Sequence, residues 1–356
     1  MEHVLQQFRE RILAASAAGT SLRLRGGGSK DWYGQSLEGE ILDTRAYSGI
    51  IAYEPTELVI TARCGTPLAE IEAALAAQSQ MLAFEPPHFG AATVGGMVAA
   101  GLSGPRRQAV GAVRDFVLGA VVMDGRGEVL HFGGQVMKNV AGYDVSRAMA
   151  GSLGTLGLIL EVSLKVLPVP YAESTLHLSM SQADALRALN TWGGQPLPIS
   201  ASMWQEGNLL VRLSGAKAAV IAAMNRLGGE SIEQAPTLWA ALREQKTDFF
   251  ADATQDGQRL WRLSVPSVAP ELELPGAQLI EWGGAQRWLK STATTAEIRE
   301  AVTRVGGHAT LFRRVDGEAA AEVFHPLAPT VGAIQRRLMQ GFDPAGVFNR
   351  GRMYAA

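Results

Sequence analysis

The residues best placed to do chemistry in this sequence are ones that lack side chains. Residues 25–30 read Arg-Gly-Gly-Gly-Ser-Lys. Successive glycines let the backbone take positive φ and approach a ligand closely, and consecutive N–H groups in such a turn form a concave nest for an anion. Two further bare stretches follow in the first half: Thr93-Val94-Gly95-Gly96, and Gly-Ser-Leu-Gly-Thr-Leu-Gly at 151–157. Any one of them alone reads as an ordinary glycine turn. Three together suit one long phosphate-bearing ligand held at several points. In the second, Thr93 is placed to cap a helix, so free N–H groups and the positive helix end are expected to face a diphosphate. In the third, Gly151, Gly154 and Gly157 leave bare positions beside a flat ring, whose polar edge backbone groups can pair.

Groups able to move protons or hold a carboxylate are sparse. His177, His308 and His325 stand singly, without the spacing of metal ligands, so no metal site is expected. His325, in Phe324-His325-Pro326, is the first to test as a base. Arg336, Arg337 and Arg352 could pair with a carboxylate, although Arg336 and Arg337 fit a solvated helix face. Lys138, Asn139, Tyr143 and Asp144 form a polar and aromatic cluster. The single cysteine, Cys64, excludes an internal disulfide and all-cysteine iron–sulfur ligation, which points to a reducing, cytoplasmic compartment.

The elements that must position these groups are legible in part. The chain has 356 residues, enough for two domains with separate cores. Acids number 34 and basic side chains 32, a net charge of −2, so neither a nucleic-acid backbone nor an anionic membrane is expected as a main partner. The N-terminal residues lack the basic-then-apolar pattern of an export signal, and no apolar run is long enough for a membrane span, so a soluble protein is expected. Apolar spacing predicts a helix over 4–17, strands at 21–25 and 57–64, and a helix after Thr66-Pro67 with Thr66 as its cap. A helix is predicted from Thr93, a hairpin over 116–132, and a half-buried strand from 158 to 166. The first glycine loop is not a Rossmann turn: Asp31 stands where the last glycine of G-x-G-x-x-G belongs, and coil follows where a helix must open.

In the second half, a strand at 175–180, a helix after Ser181, a hairpin of 199–205 with 209–213, a helix over 216–227 and a strand near Ser231 make a split-βαβ, ferredoxin-like module. A helix over 236–251, strands near 260–265 and 279–281, a helix over 295–305 and a strand at 309–313 complete an α+β unit. A last helix covers 328–340.

The motifs RGGGSKDWYG, FEPPHFGAATVGGMVAAGLSGPRR, GAVRDFVLG, KNVAGYDVSRAMAGSLGTLGLILEVSLKVLP and FDPAGVFNRGRM resemble the PCMH-type (vanillyl-alcohol-oxidase-like) FAD-binding flavoproteins. Within them the chain is most similar to the FAD-binding E subunits of bacterial glycolate oxidase, strongly over 1–170 and well over the last 30 residues. The resemblance implies an α+β fold: an FAD-binding domain of two subdomains (1–170), an α+β cap domain (171–327), and a C-terminal helix and tail (328–356) packing back on the FAD domain. It implies that Gly26, Gly27, Gly28 and Ser29 line the FAD diphosphate. Pro86, Thr93, Val94, Gly95, Gly96, Ser103 and Gly104 would continue around diphosphate and ribityl. Gly151, Gly154, Thr155, Gly157 and Ile159 would sit by the adenine or the ribityl chain, with Lys138, Asn139 and Asn349 on the flavin side. Weak catalytic candidates are His325, Tyr143 and Arg352.

Relatives with covalent flavin carry a histidine in the first loop; Ser29 and Lys30 here imply noncovalent FAD. The family's terminal Asn-Pro-Gly pattern departs to Asn349-Arg350-Gly351, which puts the pose of Asn349 in question. Catalytic relatives also carry histidine motifs of the kind H-x-G-D-G-N-x-H in the cap, and none occurs here. The expectation is therefore a subunit that relays electrons or supports assembly within a glycolate-oxidising complex, beside a second, catalytic FAD subunit and an iron–sulfur subunit. Its place would be cytoplasmic, or peripheral at the inner membrane through that complex. The alternatives are a self-sufficient D-2-hydroxy-acid or aldose oxidoreductase, and a structural subunit with a decayed flavin site.

Overall fold

Apolar residues at Phe8, Ile12 and Ala15 give the first helix, α1 (Glu2–Ala18), one buried stripe, and Gly19 ends it at φ 66°. The chain is seen in a computed structural model that describes residues 1–35, 38–134, 143–315, 317 and 322–354. These fall into two units, the first of 1–103, 111–168 and 326–356, the second of 104–110 and 169–325.

In the first unit, β1 (Leu22–Arg25) pairs in parallel with β2 (Glu40–Asp43). There follow β3 (Ile50–Glu54), β4 (Val59–Arg63), α2 (Leu68–Ala76), the two-residue β5 (Gln80–Met81) and α3 (Val94–Ala100). After α4 (Arg107–Val110), a part of the second unit, come α5 (Val113–Phe116), β6 (Val117–Met123), β7 (Val129–Gly133), α6 (Val145–Ala148), β8 (Leu158–Lys165) and β9 (Leu167–Pro168). A five-stranded antiparallel sheet runs β3-β4-β8-β6-β7. Its centre is β8, where Leu158, Leu160, Val162 and Leu164 are buried on one face and Ile159 and Ser163 on the other. The alternation from Leu160 to Val166 predicted a half-buried strand; burial of Ile159 and Ser163 on the second face corrects that.

The second unit carries an eight-stranded sheet. Its first half is β10 (Ala172–Ser179), α7 (Gln182–Gly193), β11 (Ile199–Gln205), β12 (Asn208–Gly215), α8 (Lys217–Leu227) and β13 (Glu230–Ser231). Then come α9 (Ala235–Arg243), α10 (Asp248–Ala251), β14 (Arg259–Ser264), β15 (Ala277–Glu281), β16 (Gln286–Ser291), α11 (Thr295–Arg304) and β17 (His308–Arg313). The order is β13-β10-β12-β11-β15-β16-β14-β17. Reading each half outward from the β11–β15 seam gives strands two, three, one, four of a split-βαβ module, twice over. In the second copy coil at 265–276 replaces the first crossover helix. The predicted α+β class holds, and the ferredoxin-like module is doubled.

Three local expectations change. Thr66 does not cap α2: Pro67 occupies the cap position, and Thr66 Oγ1 donates to the Arg63 carbonyl and accepts from Gly49 N–H. The helix predicted over 236–251 breaks into α9 and α10 because Gln245 turns to φ 52°. Strand β16 escaped notice because the buried Arg287 interrupts its apolar pattern; its guanidinium donates to the carbonyls of Gly284, Pro270 and Ala269.

The chain returns to the first unit through α12 (Pro329–Phe342). Asp343 then accepts from Phe348 N–H, and residues 347–349 run beside β1, with Leu22 bonded to Val347 and Asn349.

Candidate functional site

The strand β1 delivers the first glycine loop. A Cβ on Gly26 would lie 2.2 Å from Thr93 Oγ1, and one on Gly27 only 1.4 Å from the Ala91 carbonyl oxygen. Gly28 turns to φ 70° over the Arg25 guanidinium. Side chains are therefore excluded by contact as well as by backbone conformation. Among the described residues the N–H groups of Gly26, Gly27, Gly28 and Ser29 meet no protein acceptor. Asp31 accepts from both Arg23 and Arg25, at 2.8 and 2.7 Å, and pins the arginine side chains beneath the loop. Lys30 Nζ donates to Ser29 Oγ and the His88 carbonyl. A nest of open N–H groups flanked by Arg25 and Lys30 is a binding place for an anion.

The second loop differs from expectation. Thr93 caps α3 by accepting from Gly96 N–H, as predicted. The N–H groups of Val94 and Gly95, expected to be free for a diphosphate, instead donate to the carbonyls of Thr66 and Cys64, both at 2.9 Å. The segment between β4 and α2 folds back on the helix start and takes its donors. What α3 presents at this end is the bare surface of Gly96; the missing side chain of Gly95 makes room for Cys64.

The third loop secures the other end of the same helix. Gly151 and Leu153 N–H groups donate to the carbonyls of Val98 and Ala99. A Cβ on Gly101 would stand 2.7 Å from Gly151 Cα, so these two backbones touch. Gly154, at φ 74°, lies against the Asn349 amide, and Gly157, at φ 145°, against Val122.

All three loops line one cleft of about 810 Å³ measured out to solvent. Of the residues predicted to hold a cofactor, Gly26, Gly27, Gly28, Ser29, Thr93, Gly95, Gly96, Gly154, Gly157, Ile159 and Asn349 line it. Pro86, Val94, Ser103, Gly104, Gly151 and Thr155 are not in its wall. Val94 is core, Ser103 Oγ accepts from Val113 N–H, Gly104 belongs to the second unit, and Thr155 donates to the Ser152 carbonyl. Lys138 and Asn139 fall outside the described residues. The wall also contains residues that sequence reasoning did not single out for it, among them Leu24, Arg25, Thr44, Cys64, Ala99 and Leu158. Apolar and small, most carry no motif; their signal is adjacency to the glycine loops.

In the cleft wall Cys64 is inert: burial pushes its thiol up to about 12. Nearby Tyr47 donates to Glu161, and burial followed by that carboxylate raises its phenol to about 12.

Of the three catalytic candidates, Arg352 alone is in the cleft wall. His325 is in the second unit, its Nδ1 facing Ala309 N–H and its Nε2 Thr303 Oγ1; burial and then Arg299 lower its pKa. Tyr143 is 93% exposed and absent from the cleft wall. Arg352 does line the cleft, with its guanidinium donating to the carbonyls of Gln35, Lys30 and Asp31. No histidine lines the cleft, and no cluster of three potential metal ligands exists among the described residues.

A cleft walled by bare backbone, with an open N–H nest and apolar residues in its lining, suits a dinucleotide. Sequence comparison agrees. The FAD binding domain family matches residues 5–133. The chain is 49% identical over 351 residues to the glycolate oxidase subunit GlcE of Escherichia coli (strain K12), covering 98% of this chain and 97% of that one. It is 29% identical to the glycolate oxidase subunit GlcD of Bacillus subtilis (strain 168) over 147 residues, 41% of this chain and 31% of that one. In fold it is similar to a solved alkyldihydroxyacetonephosphate synthase, with a TM-score of 0.62 at 15% identity, over 96% of this chain and 73% of that one.

Proposed function

Because the chain belongs to the family of the glycolate oxidase E subunit, and so is an FAD-dependent oxidoreductase subunit of such a complex, we propose that it binds FAD noncovalently in this cleft and relays electrons, or supports assembly, without carrying the acid-binding site itself. The observation that carries the reading is the convergence of three glycine loops, far apart in the chain, on one cleft.

The open N–H groups of Gly26 to Ser29, with Arg25 and Lys30 beside them, would hold the diphosphate. Gly96 lets the ligand pass close to α3, and Gly157, Leu158 and Ile159 offer a bare and apolar wall for a flat ring. When bound, FAD supplies a hydride acceptor at its ring. The protein's own residues orient the cofactor and exclude water; in the cleft wall no histidine stands ready to take a hydroxyl proton.

The partners in this reading are a second, catalytic FAD subunit and an iron–sulfur subunit. Among the described residues no helix is long and apolar enough to cross a membrane. We take the place of the chain as cytoplasmic or at the inner-membrane surface through its complex. The FAD domain would be 1–170, the cap 171–327 and the returning tail 328–356, a reading supported by the division into two units.

The test is an absorption spectrum of the purified chain, followed by acid precipitation and a glycolate assay alone and with its partners. Flavin bands that leave with the acid supernatant, and turnover far below that of the complex, are expected. Turnover by the isolated chain at the rate of the complex sinks the relay role. A colourless chain that takes up no added FAD sinks the cofactor assignment.

A further inference from the structure

Two side chains of the returning tail make hydrogen bonds to segments more than 150 residues away. Asn349, 8% exposed, holds a left-handed φ of 42°. Its Oδ1 accepts from Leu24 N–H at 2.8 Å and its Nδ2 donates to the Leu153 carbonyl at 2.6 Å. The two bonds span 325 and 196 positions of sequence. Its backbone N–H donates to Leu22, and Gly154 is pressed against its amide. Arg352, 5% exposed, bonds the carbonyls of Lys30, Asp31 and Gln35. The tail thus grips the strand entering the first glycine loop, the residues leaving it, and the third loop.

We infer that this tail is the clamp that shapes the cofactor cleft, and that Asn349 and Arg352 are positioning residues for FAD. They act through the two loops they hold. The inference rests on the reading of the cleft as an FAD site. Its physical ground is entropy. A run of three glycines is the most freely moving backbone available, and aiming its N–H groups at one anion costs conformational freedom. Anchoring both ends of the run beforehand removes much of that cost from binding. Linkage makes the effect reciprocal: FAD must strengthen the docking of the tail.

Two measurements test this on the full chain. In the first, the cofactor-free protein is titrated with FAD by flavin fluorescence, as wild type, Asn349→Asp, Arg352→Lys, and Arg337→Ala on an exposed helix face as control. Asn349→Asp keeps the acceptor for Leu24 N–H and loses the donor to Leu153; Arg352→Lys keeps the charge and loses the fork. Each is expected to weaken FAD binding by roughly tenfold or more, and the control to match wild type. In the second, carboxypeptidase trims wild type with and without FAD, and the cofactor is expected to slow release of the tail residues; no variant need fold for this. If wild type binds FAD but its tail is trimmed equally fast in both states, or both variants bind like wild type, the clamp is overturned and the FAD site stands. If wild type takes up no FAD, the cofactor reading itself falls.

Discussion

Gly27 has no space for a single added carbon, because the Ala91 carbonyl oxygen would stand 1.4 Å from it. Gly27→Ala must push two backbones apart, a change expected to cost about 1–3 kcal/mol and to reshape the N–H nest. The purified variant should lose most of its flavin absorbance relative to protein absorbance while keeping wild-type far-ultraviolet circular dichroism. Cys64 gives a prediction in pH. Its thiol is raised from an ordinary 9.0 to about 12 by burial, so between those values the folded chain keeps a proton that the unfolded chain has released. Stability should therefore be full below the lower value and fall as pH rises toward the upper one. Tyr47, also raised to about 12, acts in the same direction. Thermal midpoints followed from about pH 8 to about pH 11 should drop less steeply in Cys64→Ala than in wild type. Native Cys64 should also resist alkylation at about pH 8.

At the scale of elements, the short helix α4 shows how a loop motif can serve a different unit from its neighbours. Gly104 accepts from Trp282 Nε1, Arg107 lies over the Trp282 ring at 4.3 Å, and Arg106 bonds Ser214 and Glu173. Burial pushes Glu173 up, yet bonds from Ser214 and the charges of Arg212 and Arg106 hold it below the usual carboxylate range. Arg106→Ala leaves that partly exposed carboxylate short of one partner and is expected to destabilise the second unit by on the order of 1 kcal/mol. Urea unfolding followed by tryptophan fluorescence would measure it, since of the 7 tryptophans only Trp32 lies outside that unit. The wild type's advantage should shrink as pH falls through the carboxylate range and Glu173 takes a proton. Elements with a clean period were legible from sequence: α1, α3 with its Thr93 cap, β8 and the first split-βαβ module. Thr66 was misread because a hydroxyl before Pro67 fits a helix cap and a turn bond equally well by residue type, and a tertiary acceptor decided between them. The donors of Val94 and Gly95 were misread for the same reason: whether a helix end is open depends on what folds over it.

Across the whole molecule, the glycine loops could be recognised by their composition, but the side chains that hold them could not. Asn349 and Arg352 were singled out as a flavin-side and a catalytic candidate but not as holders of the loops, because their partners are backbone carbonyls and an N–H that any residue could supply. The doubling of the sheet was hidden likewise, because the second copy replaces a helix with coil and buries Arg287 in a strand. The first unit is built from three separate stretches of chain, and this bears on how the protein is made. Leu24 leaves the ribosome long before Asn349 is translated, with 325 positions between them. Until then the nest has its arginines and its glycines but no fastening. Nascent chains stalled before Asn349 emerges should bind FAD far more weakly than chains released at full length, as a pull-down on immobilised flavin would register. On the clamp reading, cofactor loading would wait for the tail, and a cell short of flavin would accumulate chains whose residues 343–354 are loosely held and open to proteolysis.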